Sequence, residues 1–273
     1  MVNPEPVQVV AVTGGKGGVG KSNVAINTAV ALAQRGKRVV VLDGDLGLAN
    51  IDVLLGIRAQ HNMSDVLEGR CELKDIMVEG PGGIRVIPAS SGTPYMANLG
   101  EQQHAGIIHA FSQIGNDLDV LIVDTAAGIS STVVSFVRAC QEAMVVVCDE
   151  PTSITDAYAL IKVINQDSQI DRFRIVPNMV RSDKEGERLY QKLASVTERF
   201  LDVALLNTVA IPFDDHVRRA VRRQKSVLEL YPDSKAARAY TELADQMSRW
   251  PLPTVPRGHL EFFVERLIAG GMR

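Results

Sequence analysis

The stretch GGKGGVGKS, residues 14–22, combines glycines, lysines and a serine at a spacing suited to binding phosphate groups. It fits the pattern GxxxxGK[ST] through Gly15, Gly20, Lys21 and Ser22. Glycines let backbone N–H groups turn inward and approach phosphate oxygens with no Cβ in the way. Lys21 is predicted to reach the β- and γ-phosphates, and the Ser22 hydroxyl to ligate Mg²⁺. The pattern therefore predicts a nucleoside triphosphate site.

The residues on either side of this loop must position it. Residues 7–13 are mostly apolar, which predicts a buried parallel strand, and the chain from Asn23 onward continues as the helix that this strand feeds. The N-terminal dipole of that helix attracts phosphate. We assign nucleotide contacts to the loop and to the residue after it: Gly14, Gly15, Gly17, Gly18, Val19, Gly20, Lys21, Ser22 and Asn23.

Acidic side chains stand at the ends of two further apolar runs. Asp43 and Asp45 follow the second run of the chain, and Asp124 ends the fourth, residues 119–124. Parallel sheets bind their ligands at the carboxyl ends of the strands. A carboxylate presented there, beside a phosphate loop, suits hydrated Mg²⁺. The pattern predicts that Asp124 and the Ser22 hydroxyl hold the metal.

Apolar runs alternate with helical patterns along most of the chain. Six or seven strands are predicted, which implies βαβ units and an α/β domain with a doubly wound, mostly parallel sheet flanked by helices. Of the 273 residues, 46% are hydrophobic and 22% are charged, as in a protein with a sizeable core. The formal net charge of −3 argues against a bulk polyanion binder. With no membrane-span or signal-peptide pattern, we expect a cytoplasmic protein.

The cysteines and histidines give no metal-site pattern. Cys71, Cys140 and Cys148 are scattered, which suits a reducing compartment and argues against an ATPase that carries an iron–sulfur cluster. His104 and His109 fall within a predicted amphipathic helix, residues 102–114, without a carboxylate or cysteine arrangement around them. We interpret both histidines as ordinary helix residues.

The second lysine of the loop, Lys16, points to a family. KGGVGKS resembles the deviant Walker A box of the MinD/ParA/Mrp group of P-loop ATPases, in which this lysine reaches the nucleotide of a dimer partner. The segment from Asp45 to Asp52 resembles the switch I of MinD, and residues 125–128 resemble switch II. The resemblance implies a homodimer formed with ATP and slow, Mg²⁺-dependent ATP hydrolysis. It also implies that Asp45 positions the attacking water and that Asp43 lies near the metal and Lys21.

The same resemblance assigns the base end of the nucleotide. An asparagine at the end of the sixth predicted strand contacts adenine in this family, and Asn178 matches it. Ile211, Pro212 and Phe213 resemble the other base-binding loop. Glu150, after the fifth predicted strand, is a further implied nucleotide contact.

Several strings resemble the MinD-like regulators of flagellar number, the FlhG/FleN group. They are DLGLAN at 45–50, VDTAAG at 123–128, CDEPTSITDAY at 148–158 and PRGHLEFF at 256–263. The resemblance implies an ATPase that binds and restrains a flagellar master transcription activator of the enhancer-binding type. Further implied partners are the flagellar SRP-like GTPase and C-ring proteins. No sequence-specific DNA binding is expected.

Two other functions of the same fold remain open. One is a ParA-like DNA-partitioning ATPase, favoured by a basic run on a predicted helix: Arg218, Arg219, Arg222, Arg223 and Lys225. A solvated helix face is the default interpretation of such a run. Related ATPases use this region for base contact, dimerisation, partner docking or DNA, and the sequence does not choose among them. The other is a MinD-like ATPase that positions a complex at the membrane.

The C-terminal part of the chain breaks the α/β pattern. We predict the ATPase domain at residues 1–250, a proline-rich tether at 251–258 and an amphipathic helix at 259–273. The apolar residues of that helix recur at helical spacing: Leu260, Phe263, Val264, Leu267 and Ile268. Two interpretations stay open: a detachable helix that binds an anionic membrane or a partner, and a helix docked on its own domain. Reversible binding at the inner membrane, including a polar position, belongs to the first.

Overall fold

A mostly parallel β-sheet forms the centre of the computed structural model, which describes residues 6–47, 50–89, 96, 99–114, 117–253 and 255–271. Its strands run in the order β3–β4–β2–β5–β1–β6–β7–β8, with β9 beside β7. Among the strand pairs of these described residues, only β3–β4 is antiparallel. The strands are β1 (Gln8–Thr13), β2 (Val39–Gly44), β3 (Val78–Glu79), β4 (Arg85–Ile87), β5 (Val120–Thr125), β6 (Glu142–Val147), β7 (Arg172–Val180), β8 (Ala204–Asn207) and β9 (Ile211–Pro212).

Helices cover both faces of this sheet. They are α1 (Lys21–Ala33), α2 (Ile51–Leu55), α3 (Met63–Leu67), α4 (Glu101–Ala110), α5 (Ser131–Ala139), α6 (Pro151–Ser168), α7 (Asp183–Phe200), α8 (Asp215–Arg222), α9 (Val227–Leu230), α10 (Lys235–Met247) and α11 (Val264–Gly271). Short 3₁₀ turns occur at Leu73–Ile76, Pro81–Gly83 and Phe111–Gln113. None of the helices in these ranges is long and apolar enough to cross a membrane.

The central strands are buried on both sides, which explains their unbroken apolar sequences. Along β1, Val9 and Ala11 contribute to one hydrophobic cluster, whereas Val10 and Val12 contribute to a second. The first cluster includes apolar side chains of α4, α5, α6 and α7, and the second those of α1 and α10. The predicted doubly wound parallel sheet is therefore confirmed.

Several element boundaries differ from the sequence-based prediction. The helix after β6 begins at Pro151 rather than near residue 153 or 155, because proline is well suited to the first turn of a helix. The predicted helix 102–114 is α4 followed by a 3₁₀ turn. The single strand predicted within 203–211 is the two short strands β8 and β9. The two-residue strand β3 is too short to produce a sequence pattern, and it was not predicted.

The C-terminal segment is packed against the domain. The helix begins at Val264 and not at residue 259, because Phe263 has a left-handed φ of 58°. Phe262 packs edge-on against Phe111, with ring centroids 4.9 Å apart, and its N–H donates to the Ala139 carbonyl at 3.1 Å. Leu260 and Ile268 are exposed. The predicted apolar stripe is thus divided between the core and the surface.

Candidate functional site

The phosphate loop connects β1 to α1, and backbone geometry requires glycine at two of its positions. Gly20 precedes the first residue of α1 and has a φ of 91°. A Cβ there would lie 2.4 Å from Nδ2 of Asn178. A Cβ at Gly15 would lie 2.2 Å from the carbonyl of Asp156. Glycines 15 and 20 therefore allow α6 and β7 to approach the loop.

Lys21 is the first residue of α1, and it is buried among the predicted phosphate-site residues. Burial lowers its pKa, while the carboxylates of Asp124 and Asp45 oppose that shift. Its ammonium group thus lies within electrostatic reach of both acids. This arrangement holds a cation inside the loop, where a triphosphate needs one.

Asp124 lies at the carboxyl end of β5 and is 3% exposed. One of its carboxylate oxygens, Oδ1, is buried without a hydrogen-bond partner among the described residues. Burial raises its pKa to about 7, and a hydrogen bond from Ser22 opposes the shift. A buried carboxylate oxygen without a partner is costly unless a ligand satisfies it. The Asp124–Ser22 pair therefore fits a Mg²⁺ ion.

Asp43 aligns with Asp124 across the β2–β5 pairing. Its carboxylate accepts N–H bonds from Asp45 at 3.1 Å, Asn50 at 2.9 Å and Ile51 at 3.1 Å. Burial raises the pKa of Asp43 to about 6, and these N–H groups oppose the shift. Asp43 thereby shapes the loop after β2, which carries Asp45. The contact of Asp43 with the metal remains a prediction.

The predicted metal residues do not form a closed cage. Within the described ranges, no group of three or more His, Cys, Asp or Glu side chains could hold a metal ion. Mg²⁺ commonly takes one or two protein ligands and completes its shell with water and substrate phosphates. Asp124 and Ser22 fit that kind of site.

The switch II segment contacts the phosphate loop directly. The Gly128 N–H donates to the Gly14 carbonyl at 3.1 Å. Two residues later, the Ser130 side chain caps α5 by accepting the Val133 N–H. The far end of α5 is the part that contacts the C-terminal segment: the Ala139 carbonyl accepts the Phe262 N–H. One helix therefore connects the predicted γ-phosphate region to the C-terminal segment.

Lys16 forms an ion pair within its own chain. Its Nζ lies 2.7 Å from Oε2 of Glu150 and 3.0 Å from Oγ1 of Thr152. The hydrogen bond to Glu150 raises the pKa of Lys16. Lys16 and Glu150, both predicted to contact nucleotide, are therefore paired with each other in the single chain. The contact of Lys16 with a partner's nucleotide stays a prediction.

A cavity of about 360 Å³ adjoins the phosphate loop. It brings together the predicted base contacts Asn178, Ile211, Pro212 and Phe213 with Gly18, Gly20 and Asn23 of the phosphate-loop region. The buried amide of Asn178 donates from Nδ2 to the Val19 carbonyl at 2.7 Å. Its side-chain oxygen and its second N–H are the groups left to meet a ligand.

Among the cavity residues that were not assigned as nucleotide contacts are Arg218, Arg222 and Tyr240. Arg218 and Arg222 come from α8, and Tyr240 comes from α10. The arginines belong to the basic run noted in the sequence, whereas nothing in the sequence around Tyr240 indicates a site. Only the packing of α8 and α10 against the loop brings these residues to the cavity.

The structure shows the surroundings of His104 and the three cysteines. His104 is buried in α4, and its Nε2 lies 3.2 Å from Oγ1 of Thr132. Burial lowers the pKa of His104. Cys71, Cys140 and Cys148 are free thiols, and the latter two are buried.

Comparison with known proteins identifies the family to which a chain with this site is similar. Residues 10–227 match the CobQ/CobB/MinD/ParA nucleotide binding domain. The antiactivator FleN of Pseudomonas aeruginosa is 60% identical over 268 residues, 98% of this chain and 96% of FleN. The flagellum site-determining protein YlxH of Helicobacter pylori is 31% identical over 97% of this chain and 91% of its own length.

Solved structures show the same fold. The septum site-determining protein MinD of Pyrococcus horikoshii, solved with Mg-ADP, superposes with a TM-score of 0.73 at 24% identity. The match covers 89% of this chain and 96% of that one. The fold of this chain is therefore a known architecture.

Proposed function

Because this chain belongs to the CobQ/CobB/MinD/ParA nucleotide-binding family, we propose that it is a Mg²⁺-dependent ATPase that regulates flagellar number. In this proposal it dimerises with ATP and restrains a flagellar transcription activator of the enhancer-binding type. The sequence-based resemblance to flagellar-number regulators is supported by the relative FleN, an antiactivator with 60% identity over nearly the whole chain.

One observation carries the nucleotide assignment: Gly18 and Gly20 belong to the phosphate loop and also line the adjoining cavity. A nucleotide with its phosphates in the loop therefore extends its base toward Asn178. Since Asn178 uses only one N–H for Val19, its side-chain oxygen and its second N–H remain for the base, and this acceptor–donor pair matches the exocyclic amine and a neighbouring ring nitrogen of adenine. ATP is the nucleotide that fits best.

Each site residue has a distinct proposed role. Lys21 neutralises the β- and γ-phosphates, and Ser22 with Asp124 holds Mg²⁺, which supplies charge stabilisation when bound. Asp45 orients the attacking water on the loop that Asp43 shapes. Lys16 reaches the partner's nucleotide only after it leaves Glu150 and Thr152.

The enzymatic part is tested by phosphate release with Mg-ATP, with Mg-GTP and with ATP plus EDTA. We expect hydrolysis with Mg-ATP alone and no nucleotide binding by Lys21→Ala. Equal hydrolysis of both nucleotides would contradict the base assignment. ATP binding by Lys21→Ala equal to that of the wild type would contradict the phosphate assignment.

The regulatory part is tested by pull-down of the activator and by gel shift with arbitrary DNA, each with and without ATP. Retention of the activator with ATP, and no shift of DNA, is the expected result. The rival is a DNA-partitioning ATPase, motivated by the exposed basic run that begins on α8 and continues to Lys225. ATP-dependent shifting of DNA without activator binding would favour it.

The remaining partners and the location are also proposals. We propose the SRP-like flagellar GTPase and C-ring proteins as further partners. The proposed location is the cytoplasm, with reversible binding to anionic lipid at the inner membrane, including the cell pole, through residues 259–273. The apolar side chains Leu260 and Ile268 are exposed for that contact, whereas Phe263 and Leu267 must first leave the core. This proposal keeps the division of the chain into a domain at 1–250, a tether at 251–258 and a targeting segment at 259–273.

A further inference from the structure

The segment that resembles switch I, residues 45–52, runs into the short helix α2. Asp43 binds the start of this helix by accepting the N–H groups of Asn50 and Ile51. That contact fixes one end of the segment that begins with Asp45. A helix of five residues is too short to be stable alone, so its other end needs a second support.

The turn between α8 and α9 supplies that support. Gln224 lies in this turn, and its Nε2 donates to the Val53 carbonyl of α2 at 3.0 Å. The approach is close, because a Cβ at Gly56, the residue after α2, would lie 2.8 Å from Oε1 of Gln224. Apolar residues of α2, α8 and α9 also share one hydrophobic cluster: Ile51, Leu55, Ala220 and Val227.

The same turn is anchored to the helix that follows the phosphate loop. Asn27 of α1 is 2% exposed, and its Oδ1 accepts the Ser226 hydroxyl at 2.9 Å and the Val227 N–H at 3.0 Å. Its Nδ2 donates to the Asn23 carbonyl at 2.8 Å. Gln224 therefore binds α2 from a support that is fixed relative to the phosphate loop.

The backbone conformation of Gln224 is unfavourable for glutamine. Its φ of 54° lies in the left-handed region, which costs free energy for a residue with a Cβ and persists where the surroundings require it. Glycine at this position would relieve the backbone, but it would lose the amide that reaches Val53. The contact with α2 thus gives a physical reason for a strained glutamine in this turn.

We propose that Gln224 is a positioning residue for hydrolysis, which holds α2, and through it the loop of Asp45, in place relative to the phosphate loop. The proposal rests on the proposed ATPase function. Gln224 is not among the residues that line the cavity beside the phosphate loop, so it acts through the backbone of α2. Its loss should lower the hydrolysis rate and leave ATP affinity unchanged.

The chain provides a matched control for the variant Gln224→Gly. Gln169 follows the last residue of α6 with the same φ of 54°, so Gln169→Gly makes the same chemical change at a different helix end. Calorimetry measures ATP affinity, and single-turnover phosphate release measures hydrolysis. We expect Gln224→Gly to hydrolyse ATP about fivefold more slowly, as the loss of one hydrogen bond predicts, with affinity within about twofold of the wild type. Gln169→Gly should change neither quantity by more than about twofold.

Two further measurements separate positioning from folding. Gln224→Glu keeps the size of the side chain but replaces the N–H donor with a carboxylate, so hydrolysis should slow at least as much as in Gln224→Gly. Hydrogen exchange of the α2 amides, measured without nucleotide, should become faster in Gln224→Gly and stay at the wild-type rate in Gln169→Gly. Thermal unfolding confirms that each variant is folded.

Several results would overturn the inference. Wild-type hydrolysis in Gln224→Gly, or unchanged exchange of its α2 amides, would exclude the positioning role. Equal slowing in Gln169→Gly would assign the effect to the change of backbone. A parallel loss of ATP affinity in both Gln224 variants would make the residue a binding group instead. Failure of the wild type to hydrolyse ATP would overturn the proposed function, and the exchange measurement would still decide whether Gln224 holds α2.

Discussion

At the scale of single residues, the site is a set of buried charges that partly neutralise one another. Lys21 is placed among carboxylates, and the buried Asp124 keeps one oxygen without a partner among the described residues. The backbone around Asp43 opposes the effect of its burial with three N–H groups. Such an arrangement is preorganised for a charged ligand, because the dipoles and charges are fixed before the ligand arrives.

The variant Asp45→Ala separates binding from hydrolysis. It removes the group proposed to orient water but leaves Lys21, Ser22 and Asp124 in place. We expect ATP binding within about twofold of the wild type and hydrolysis slower by on the order of 10²-fold. Calorimetry and phosphate release measure the two quantities. Unchanged hydrolysis would transfer the role to another group, with Asp43 the next candidate.

His104 should make stability depend on pH. Its folded-state pKa is lowered by burial, so the protonated form is favoured in the unfolded chain. The contribution of neutral, buried His104 to the free energy of unfolding is therefore fully present above the unfolded-state pKa of about 6.5. It is lost as the pH falls below that value, by at most about 1.4 kcal/mol per pH unit.

The substitution His104→Gln removes this titration and should flatten the acid side of the stability curve, measured by urea unfolding between about pH 5 and 8. His109→Gln is the matched control, since His109 is exposed on the same helix. The hypothesis fails if both variants show the same slope as the wild type.

At the scale of elements, α5 connects the nucleotide region to the C-terminal segment. Its first turn is capped by Ser130, just after the Gly128 contact with the phosphate loop. Its last residues supply carbonyls to the segment, at Arg138 for His259 and at Ala139 for Phe262. Because a short helix moves largely as a rigid body, a shift of α5 on nucleotide binding would displace both its capped first turn and the carbonyls that bind the C-terminal segment.

The variant Phe262→Ala tests whether docking conceals a lipid-binding face. It removes the ring that packs against Phe111 and Phe136 but keeps the five residues of the predicted lipid stripe. We expect the melting temperature to fall, with a loss of up to about 3–5 kcal/mol in the free energy of unfolding, and binding to anionic vesicles to increase in the absence of ATP.

Phe200→Ala is the control for this variant, because that phenylalanine is 62% exposed on α7. Vesicle binding by the wild type should require ATP and weaken with salt, since two tails of a dimer bind together and anionic lipid attracts basic residues. If neither protein binds vesicles in any nucleotide state, a protein groove becomes the better target for the segment.

At the scale of the whole molecule, the proposed active form is a dimer with two nucleotides at its interface. In the single chain, Lys16 is occupied by Glu150 and Thr152. If Lys16 leaves the Glu150 carboxylate for a phosphate of the partner's nucleotide, its ammonium group exchanges one anion for another. The further desolvation of that ammonium group is therefore small. In this proposal, dimerisation therefore depends on nucleotide.

Sedimentation with a non-hydrolysable ATP analogue tests this assembly. The wild type should sediment as a monomer alone and as a dimer with the analogue. Lys16→Ala should bind nucleotide within about threefold of the wild type but stay monomeric, because it loses only the contact in trans. Lys21→Ala should lose both. Equal loss of nucleotide binding in the two variants would exclude the trans role of Lys16.

The sheet and the phosphate loop could be predicted from local sequence patterns. Buried parallel strands require continuous apolar residues, and a phosphate cradle requires glycines at fixed spacing, so both leave local patterns. β1, β2 and β5 and the loop at residues 14–22 were predictable for that reason.

Long-range packing, which local patterns do not encode, brings distant side chains to one cavity and places the C-terminal segment. Arg218, Arg222 and Tyr240 meet the phosphate loop because α8 and α10 pack beside it, and no local pattern encodes that distance. The apolar residues near 260–268 fit a docked helix and a free amphipathic one equally well. The choice depends on the groove formed by Phe111 and Phe136, residues far away in the sequence, which buries Phe262 and leaves Ile268 exposed.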